Sequence, residues 1–423
     1  MLFIYTREKR MIIFEIIAFM TFWICIDKVF LKKIFVLPSI LTIIWGITLS
    51  LSYLGLYNIF VPPKEVAFYS FIFISAFNTS SIIWNVLIHA KNKKYSYIIN
   101  YTLLNFILII CIIGVIFMCR KSIIILFTTH NFSAIRNSFI GYQSINTYEQ
   151  VFLTITFIPL GKACYIISSI DLIKNKKITY SFILSIVFSV ICVLLNGGRS
   201  ILFFIVTTFV IELYLQDFSL VSILRKNKKI VRLCIIFVVF IIIISMQRNL
   251  TKGGFFTSLY VYFCGCFNLF GTYLKMNMVF KDELLCGKEM ISGFSFPIFQ
   301  ILRYIFNFNI LPGNYILAAE ATSKYLPISP VILINATPTT MFHAIRDFGI
   351  IGLVIYPIVI SYFYIKIKKK YERCPNLLTS SYYIYFIFLC LLLNMSYQFE
   401  TFQNVGVFIY ISLLCKLFTK ESK

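Results

Sequence analysis

The sequence predicts an all-α polytopic membrane protein with about 11 or 12 transmembrane helices and a large external loop. Three observations support this fold class. Hydrophobic residues make up 60% of the 423 residues and charged residues only 13%, whereas a soluble domain is roughly half apolar and a quarter charged. The apolar residues lie in long runs, and mean hydropathy is +0.88. Lysines and arginines gather between alternate runs, which is typical of cytoplasmic loops.

A bilayer core about 30 Å thick requires about 20 apolar residues in a helix. The predicted spans are residues 11–26, 34–54, 66–89, 97–118, 151–170, 178–195, 200–216, 230–246, 341–365, 380–396 and 402–418. The first run lacks a cleavage site of small residues, so we interpret it as a span rather than a signal peptide. We find no internal repeat, and residues 1–423 are predicted to form a single membrane domain.

Basic clusters follow the first, third, fifth, seventh and ninth predicted spans and close the chain. The positive-inside rule assigns these loops to the cytoplasm. The basic residues before the first span are the one exception to this alternation. The segments assigned to the external side are residues 55–65, 119–150, 196–200 and 247–340.

The external segment 247–340 is the longest stretch between predicted spans. Its residues 255–274 and 294–308 are aromatic and apolar. Backbone that does not cross the bilayer is tolerated at membrane depth where protein or a water-filled cavity surrounds it. We therefore predict re-entrant or interfacial helices within this loop, which has room for an external active site.

The net charge of +23 does not indicate nucleic-acid binding, because no basic stretch lies in a soluble domain. It indicates contact with anionic membrane lipid. The twelve cysteines are scattered, mostly in apolar runs, and Cys264 and Cys266 lack the spacing of metal ligands. The sequence predicts no metal, no cofactor and no nucleic-acid partner.

Residues 336–352, ATPTTMFHAIRDFGIIG, hold the main candidate site. In a helix, His343, Arg346 and Asp347 are spaced i, i+3 and i+4 and share one face. Ionisable groups at the mouth of a membrane helix are costly and are often functional. Thr337 and Pro338 fit an N-cap followed by proline at the first helical position. The alternative is a local ion pair that only satisfies buried charges.

Further arginines fall at predicted helix ends on the external side. Gly197, Gly198 and Arg199 form a tight turn, Arg248 ends a span, and Arg303 lies among aromatic residues. Arg199 and Arg248 have an alternative interpretation as anchors that reach the lipid headgroups, and Arg303 has one as a cation stacked on the external aromatic residues. Guanidinium groups suit bidentate recognition of a diphosphate.

Two other ionisable residues are supporting candidates. Lys162 lies near the middle of the fifth span, and Glu400 lies in the short outer turn between the last two spans. Such groups often face a cavity, and a structural pairing role is an equal alternative. No carboxylate pair at metal spacing, P-loop or GxSxG motif is present.

The segments NGGRS, MQRNL, LYVYFCGCFNLF and ATPTTMFHAIRDFGIIG resemble the bacterial O-antigen polymerase family, which joins oligosaccharide repeat units. The resemblance covers roughly residues 150–365. It implies an all-helical membrane glycosyltransferase of the GT-C class in the bacterial plasma membrane, with its active site on the external (periplasmic) face. It also implies a metal-independent transfer of the growing glycan from undecaprenyl diphosphate to a new lipid-linked repeat unit.

The resemblance also suggests roles for residues and partners. Arg199 and Arg248 match the helix-end arginines of the family and would bind the diphosphate, aided by Arg303 or Arg346. His343 would accept the proton of the acceptor hydroxyl and Asp347 would orient it. The expected partners are undecaprenyl-diphosphate-linked oligosaccharide, membrane lipid, a chain-length regulator and a flippase.

Three alternative functions remain open. An O-antigen ligase would move finished polymer onto a lipid A core. A lipid-linked oligosaccharide flippase would be a transporter, which usually has two pseudo-symmetric halves. A sensor or structural membrane protein would not need arginines gathered on one face.

Overall fold

A computed structural model of the chain describes residues 2–31, 36–89, 97–129, 147–196, 200–215, 254–281, 283–306, 311–318, 320, 325–334 and 338–418. Helices account for about 81% of the structure. Within the described residues, five helices are long and apolar enough to cross a membrane, and four shorter helices are also apolar. The architecture is therefore compatible with the predicted all-α polytopic membrane protein.

In the part of the chain that the structure describes, the elements are helices and one short hairpin near the end of the predicted external loop. The bounds are α1 Leu2–Leu31, α2 Leu37–Leu54, α3 Lys64–Leu87, α4 Tyr101–Met118, α5 Arg120–Thr129, α6 Thr147–Phe152, α7 Ile158–Asn175, α8 Tyr180–Asn196, α9 Ser200–Leu215, α10 Gly254–Lys275, α11 Ser292–Phe306, α12 Gly313–Leu317, β1 Leu326–Pro327, β2 Leu333–Ile334, α13 Thr340–Phe348, α14 Gly352–Arg373, α15 Leu377–Leu391 and α16 Phe402–Leu417. A π-helical turn at Leu153–Phe157 joins α6 to α7.

Most predicted spans coincide with helices, because long apolar runs are a local property of the sequence. Helix α1 has 30 residues and extends well beyond the predicted span 11–26. The predicted span 230–246 lies outside the described residues. Within the predicted external loop, α10 and α11 coincide with the aromatic segments 255–274 and 294–308. Their helical conformation is confirmed, and their position relative to the membrane stays a prediction.

The chain forms two compact units. The first contains Met1–Lys91, Phe256–Lys370 and Leu389–Thr401, and the second contains Asn92–Phe255, Tyr371–Phe388 and Phe402–Lys423. Each unit therefore combines segments that are distant in the sequence. The single membrane domain expected from the sequence stays a prediction.

In the first unit, α10 packs against α2. The hydroxyl of Ser52 donates a hydrogen bond to the carbonyl of Cys264 at 3.1 Å, and the hydroxyl of Tyr260 donates to the carbonyl of Leu51 at 2.6 Å. The indole of Trp45 stacks on Phe73 of α3, with ring centroids 5.0 Å apart. The two hydrogen bonds join α10 to α2, and the stacked rings join α2 to α3.

In the second unit, α7 forms the centre, and 15 of its 18 residues are buried. The hydroxyl of Tyr165 donates to the carbonyl of Ile205 on α9 at 3.0 Å. The hydroxyl of Tyr101 on α4 donates to both carboxylate oxygens of Asp171 at 3.0 Å. These hydrogen bonds join α7 to polar groups on neighbouring helices.

The predicted span 341–365 begins with a separate helix, α13, and the helix is interrupted at Gly349. Gly349 ends α13 with a φ of 65°, a conformation that favours glycine. At Gly352, the first residue of α14, an added Cβ would collide with the carbonyl oxygen of Ala344. The two glycines of the FGIIG motif therefore allow the first residue of α14 to lie close to the backbone of α13.

Candidate functional site

Helix α13 carries the three residues that the sequence singled out, and it holds all of them inside the first unit. His343 and Asp347 have no exposed surface, and Arg346 is 1% exposed. The helix begins after Thr339, which is its N-cap residue. The expected N-cap at Thr337 with Pro338 at the first helical position is therefore wrong, because Pro338 precedes the helix by two residues.

Asp347 anchors the segment that leads from α10 to α11. Its Oδ1 accepts hydrogen bonds from the backbone N–H groups of Gly287 at 2.8 Å and Glu289 at 3.3 Å. Its Oδ2 accepts from the N–H of Met290 and from the hydroxyl of Tyr356, both at 2.9 Å. These four hydrogen bonds give Asp347 a structural role, and its expected role in orienting His343 stays a prediction.

The imidazole of His343 lies instead against two glutamates. Its Nδ1 is 2.8 Å from Oε1 of Glu289 and 3.5 Å from Oε2 of Glu400. The side chains of His343 and Glu289 are 0% exposed, whereas that of Glu400 is 15% exposed. We call these three residues the Glu–His–Glu cluster. Glu400 is the most exposed member of the cluster.

The backbone around Glu289 explains how this carboxyl reaches His343. Gly287 has a φ of 89°, which turns the segment back so that three of its N–H groups point at Asp347. Gly313 lies directly on the segment, because an added Cβ would come within 2.6 Å of the N and Cα atoms of Glu289. The hydroxyl of Ser292 also accepts a hydrogen bond from the N–H of Asn314 at 3.2 Å. Helix α12 therefore packs directly against the backbone at Glu289.

A second segment, between α15 and α16, brings Glu400 to the cluster. The hydroxyl of Tyr397 donates to the carbonyl of Met290 at 2.9 Å, and the N–H of Gly293 donates to the carbonyl of Phe399 at 3.2 Å. The ring of Tyr397 lies beside His343, with centroids 6.3 Å apart. Residues from three distant parts of the chain thus meet at one imidazole.

The electrostatics of the cluster favour a bound proton. Burial raises the pKa of Glu289 to about 8. The hydrogen bond with Glu400 lowers this pKa, and the charge of Asp347 raises it by a smaller amount. Burial likewise raises the pKa of Glu400 to about 8, against the effect of His343 and with the help of Glu289. Two carboxylates that close together resist simultaneous ionisation. The short contact between Nδ1 and Oε1 also requires a proton, because two acceptors would repel.

Arg346 pairs with a different carboxylate. Its Nη2 donates to Oε2 of Glu320 at 2.7 Å, and its Nη1 donates to the backbone carbonyl of Glu283 at 3.2 Å. Lys281 Nζ lies 3.2 Å from the same oxygen of Glu320. A diphosphate could therefore contact the Nη2 group of Arg346 only if Glu320 moved away.

The other predicted site residues have separate locations. Arg303 is exposed on α11, and its side chain is not part of the buried site. Lys162 belongs to the second unit, where its Nζ donates to Oδ1 of Asn404 at 3.1 Å and lies over the ring of Phe204. The predicted site residues that lie outside the described part of the chain are Gly197, Gly198, Arg199 and Arg248.

The Glu–His–Glu cluster also has the donor set of a metal site. Each side chain offers one ligand atom, and these atoms lie within 4.8 Å of one another. Imidazole and carboxylate ligands suit zinc and other divalent transition metals. The absence of metal spacing in the sequence did not exclude this arrangement, because the three residues come from separate segments.

Sequence reasoning missed Glu289, Glu320 and Gly313. Glu289 lies 54 positions before His343 in the sequence, so no helical spacing connects the two residues. The one local signal is the motif CGKEMISG at residues 286–293, in which a glutamate stands among glycines inside a predicted loop. That signal is too common to identify a site.

Comparison of the chain with protein-family models, with characterised proteins and with solved structures found no match.

Proposed function

We propose that the protein is a membrane glycosyltransferase that polymerises lipid-linked oligosaccharide repeat units. The observation that carries this proposal is the arrangement around α13, where His343 meets Glu289 and Glu400 from two other segments, and Arg346 of the same helix is buried. Transfer of a glycan from a lipid diphosphate needs a base for the acceptor hydroxyl and a cation for the leaving diphosphate. The family resemblance of the sequence motifs is a further reason for the proposal.

In the proposed reaction, the hydroxyl of a new repeat unit attacks the anomeric carbon of the growing glycan. A bond forms between this oxygen and the carbon while the bond from the carbon to the diphosphate oxygen breaks. The diphosphate leaves with the electron pair, and Arg346 stabilises its charge. The roles that the resemblance implies for Arg199, Arg248 and Arg303 stay predictions. General base catalysis contributes roughly 10²–10⁴ in rate, and one preorganised cation or donor about 10²–10³.

Glu400 is the base that contacts the acceptor hydroxyl in this proposal, because His343 has no exposed surface. The proton passes to the carboxylate of Glu400, and His343 behind it holds the carboxylate in place and shares the charge. A base is most effective when its pKa lies near the working pH, and burial raises the pKa of Glu400 to about 8. His343 becomes a positioning residue, and Asp347 acts through the backbone that carries Glu289.

The reaction requires a lipid carrier, so the proposed location is the plasma membrane of a bacterium, with the site on the external face. Undecaprenyl-diphosphate-linked oligosaccharide is the proposed substrate. A flippase and a chain-length regulator are the proposed partners. The flippase would supply repeat units, and the regulator would limit the length of the polymer.

Deletion of the gene, followed by gel analysis of the surface glycan, tests the function. Loss of a polymerase leaves single repeat units on the surface, whereas loss of a ligase leaves full polymer on the lipid carrier. Loss of a flippase prevents any repeat unit from reaching the outside. A ladder that is unchanged in the deletion strain contradicts the proposal, and plasmid-borne wild-type protein serves as the control.

A further inference from the structure

One N–H group of the Arg346 guanidinium makes no hydrogen bond to the described residues. The Nη1 group of this arginine donates to the carbonyl of Glu283 and its Nη2 group to the carboxylate of Glu320. Its Nε is buried and has no hydrogen-bond partner among the described residues. A buried donor without a partner is unfavourable, so this atom needs an explanation.

The unused Nε lies on the same edge of the guanidinium group as Nη2. This edge presents two parallel N–H groups, which match two oxygens of one carboxylate or phosphate. Glu320 takes only the Nη2 group, through Oε2 at 2.7 Å. Half of a bidentate anion site is therefore filled and half is empty.

The charges around Glu320 also favour an anion that carries more negative charge than one carboxylate. Two cations, Arg346 and Lys281, face this single carboxylate, which leaves a net charge of +1. Burial alone would raise the pKa of Glu320, but the hydrogen bonds from Arg346 and Lys281 outweigh it and hold the pKa below its usual value. Glu320 is thus ionised at neutral pH.

The three side chains differ in their exposure to solvent. Arg346 is 1% exposed, whereas the side chains of Glu320 and Lys281 are 28% and 40% exposed. Arg346 lies in the interior of the first unit, and Glu320 is its more exposed partner. Movement of Glu320 outward opens the two N–H groups of Arg346 to an incoming ligand.

We propose that Arg346 and Lys281 form a binding site for a phosphate group, and that Glu320 occupies part of this site until a phosphate displaces it. The bound phosphate places two oxygens on Nε and Nη2 of Arg346, and Lys281 contacts a third oxygen. The assignment of this phosphate to the diphosphate of a lipid-linked glycan rests on the proposed function. The site itself follows from the contacts of Arg346.

Calorimetric titration of the full detergent-purified chain with inorganic pyrophosphate tests the site. Glu320→Gln removes the competing charge and still accepts a hydrogen bond from Arg346, so the variant is expected to fold and to bind pyrophosphate about tenfold more tightly. Lys281→Gln is expected to bind several-fold more weakly than the wild type. Lys288→Gln, at an exposed lysine in the same segment, is the matched control and leaves affinity unchanged.

The proposal is overturned if Glu320→Gln binds pyrophosphate no more tightly than the wild type, or if Lys281→Gln behaves like Lys288→Gln. Competition experiments identify the source of the phosphate. Displacement of pyrophosphate by farnesyl diphosphate, and not by phosphatidylglycerol in mixed micelles, supports a polyprenyl diphosphate ligand. Displacement by phosphatidylglycerol alone overturns that assignment. Because calorimetry requires no polymer, tight binding in Glu320→Gln together with an unchanged glycan ladder in the deletion strain rejects the polymerase function and keeps the site.

Discussion

Nδ1 of His343 lies 2.8 Å from Oε1 of Glu289, and neither side chain is exposed. A neutral imidazole or a neutral carboxylic acid can bridge this distance with one proton, whereas a deprotonated imidazole nitrogen and a carboxylate would repel. Glu400 approaches the same nitrogen at 3.5 Å from the more exposed side. The proton affinities of the three groups are therefore coupled.

The stability of the protein should fall as pH rises from about 4.5 to about 8. Glu289 has an ordinary pKa of 4.5 and a folded-state pKa of about 8, so the folded state binds the proton more tightly and stability is lost as pH rises through this window. One such group changes the free energy of unfolding by at most about 1.4 kcal/mol for each pH unit. Thermal unfolding of the detergent-purified chain at several pH values measures this slope.

The slope should decrease in Glu289→Gln, because a neutral amide has no proton to lose. The groups that face this carboxyl are His343 on α13, Glu400 and Tyr397 on the segment before α16, and Asp347, and they remain in the variant. Glu283→Gln, at an exposed glutamate, is the control and should keep the wild-type slope. Equal slopes in the wild type and in Glu289→Gln would show that Glu289 does not titrate in this range.

Asp347→Asn should destabilise the protein by about 1–3 kcal/mol, because the new amide group faces buried N–H donors and leaves at least one of them unsatisfied. Chemical denaturation of the purified variant measures the change. If Asp347 instead acted directly on His343, Asp347→Asn would lose polymer formation and keep wild-type stability. That result would support the role expected from the sequence.

Gly313→Ala should reduce activity without removing any chemical group. An added Cβ would lie 2.6 Å from the backbone of Glu289, so the segment must shift and its carboxyl must move relative to His343. Overpacking of this kind typically costs about 1–3 kcal/mol. Glycan chain length in a complemented deletion strain and thermal unfolding of the purified variant are the two measurements.

Gly265→Ala on α10 is the matched control for Gly313→Ala. Its added Cβ would meet neighbouring side chains at 3.5 Å, which is an ordinary van der Waals distance. The control should be as stable as the wild type or more stable, because alanine favours a helix by up to about 1 kcal/mol over glycine. If the two variants had equal activity and equal stability, the position of Glu289 would not matter for function.

Removal of divalent metals should leave polymer formation unchanged. The direct contact between Nδ1 and Oε1 engages two donor atoms that a metal would need at about 2.0–2.2 Å from one centre. The measurement is the rate of chain extension by purified protein before and after dialysis against EDTA. A loss of rate that zinc or manganese restores in the wild type, and not in Glu289→Gln, would show that the cluster is a metal site.

The sequence predicted the helices well because their signals are local. Apolar runs indicated most of them, and the spacing of His343, Arg346 and Asp347 placed all three on one helix. The contacts of these residues were not predictable, because Glu289, Glu320 and Glu400 reach α13 from other segments. Such contacts depend on turns such as Gly287, where a positive φ redirects the chain. A charge cluster with helical spacing therefore identified the helix, whereas the fold determines which charged groups are in contact.

The most direct test of the account is chain extension by the purified protein in lipid nanodiscs. Lipid-linked single repeat units extracted from the deletion strain serve as donor and acceptor, and gel analysis follows the products. The account predicts that the wild type and Glu283→Gln make a ladder of glycans and release the lipid diphosphate, while Glu400→Gln is slower by about 10²–10⁴. Failure of the wild type to extend the glycan, or a Glu400→Gln variant that extends it at the wild-type rate, would contradict the account.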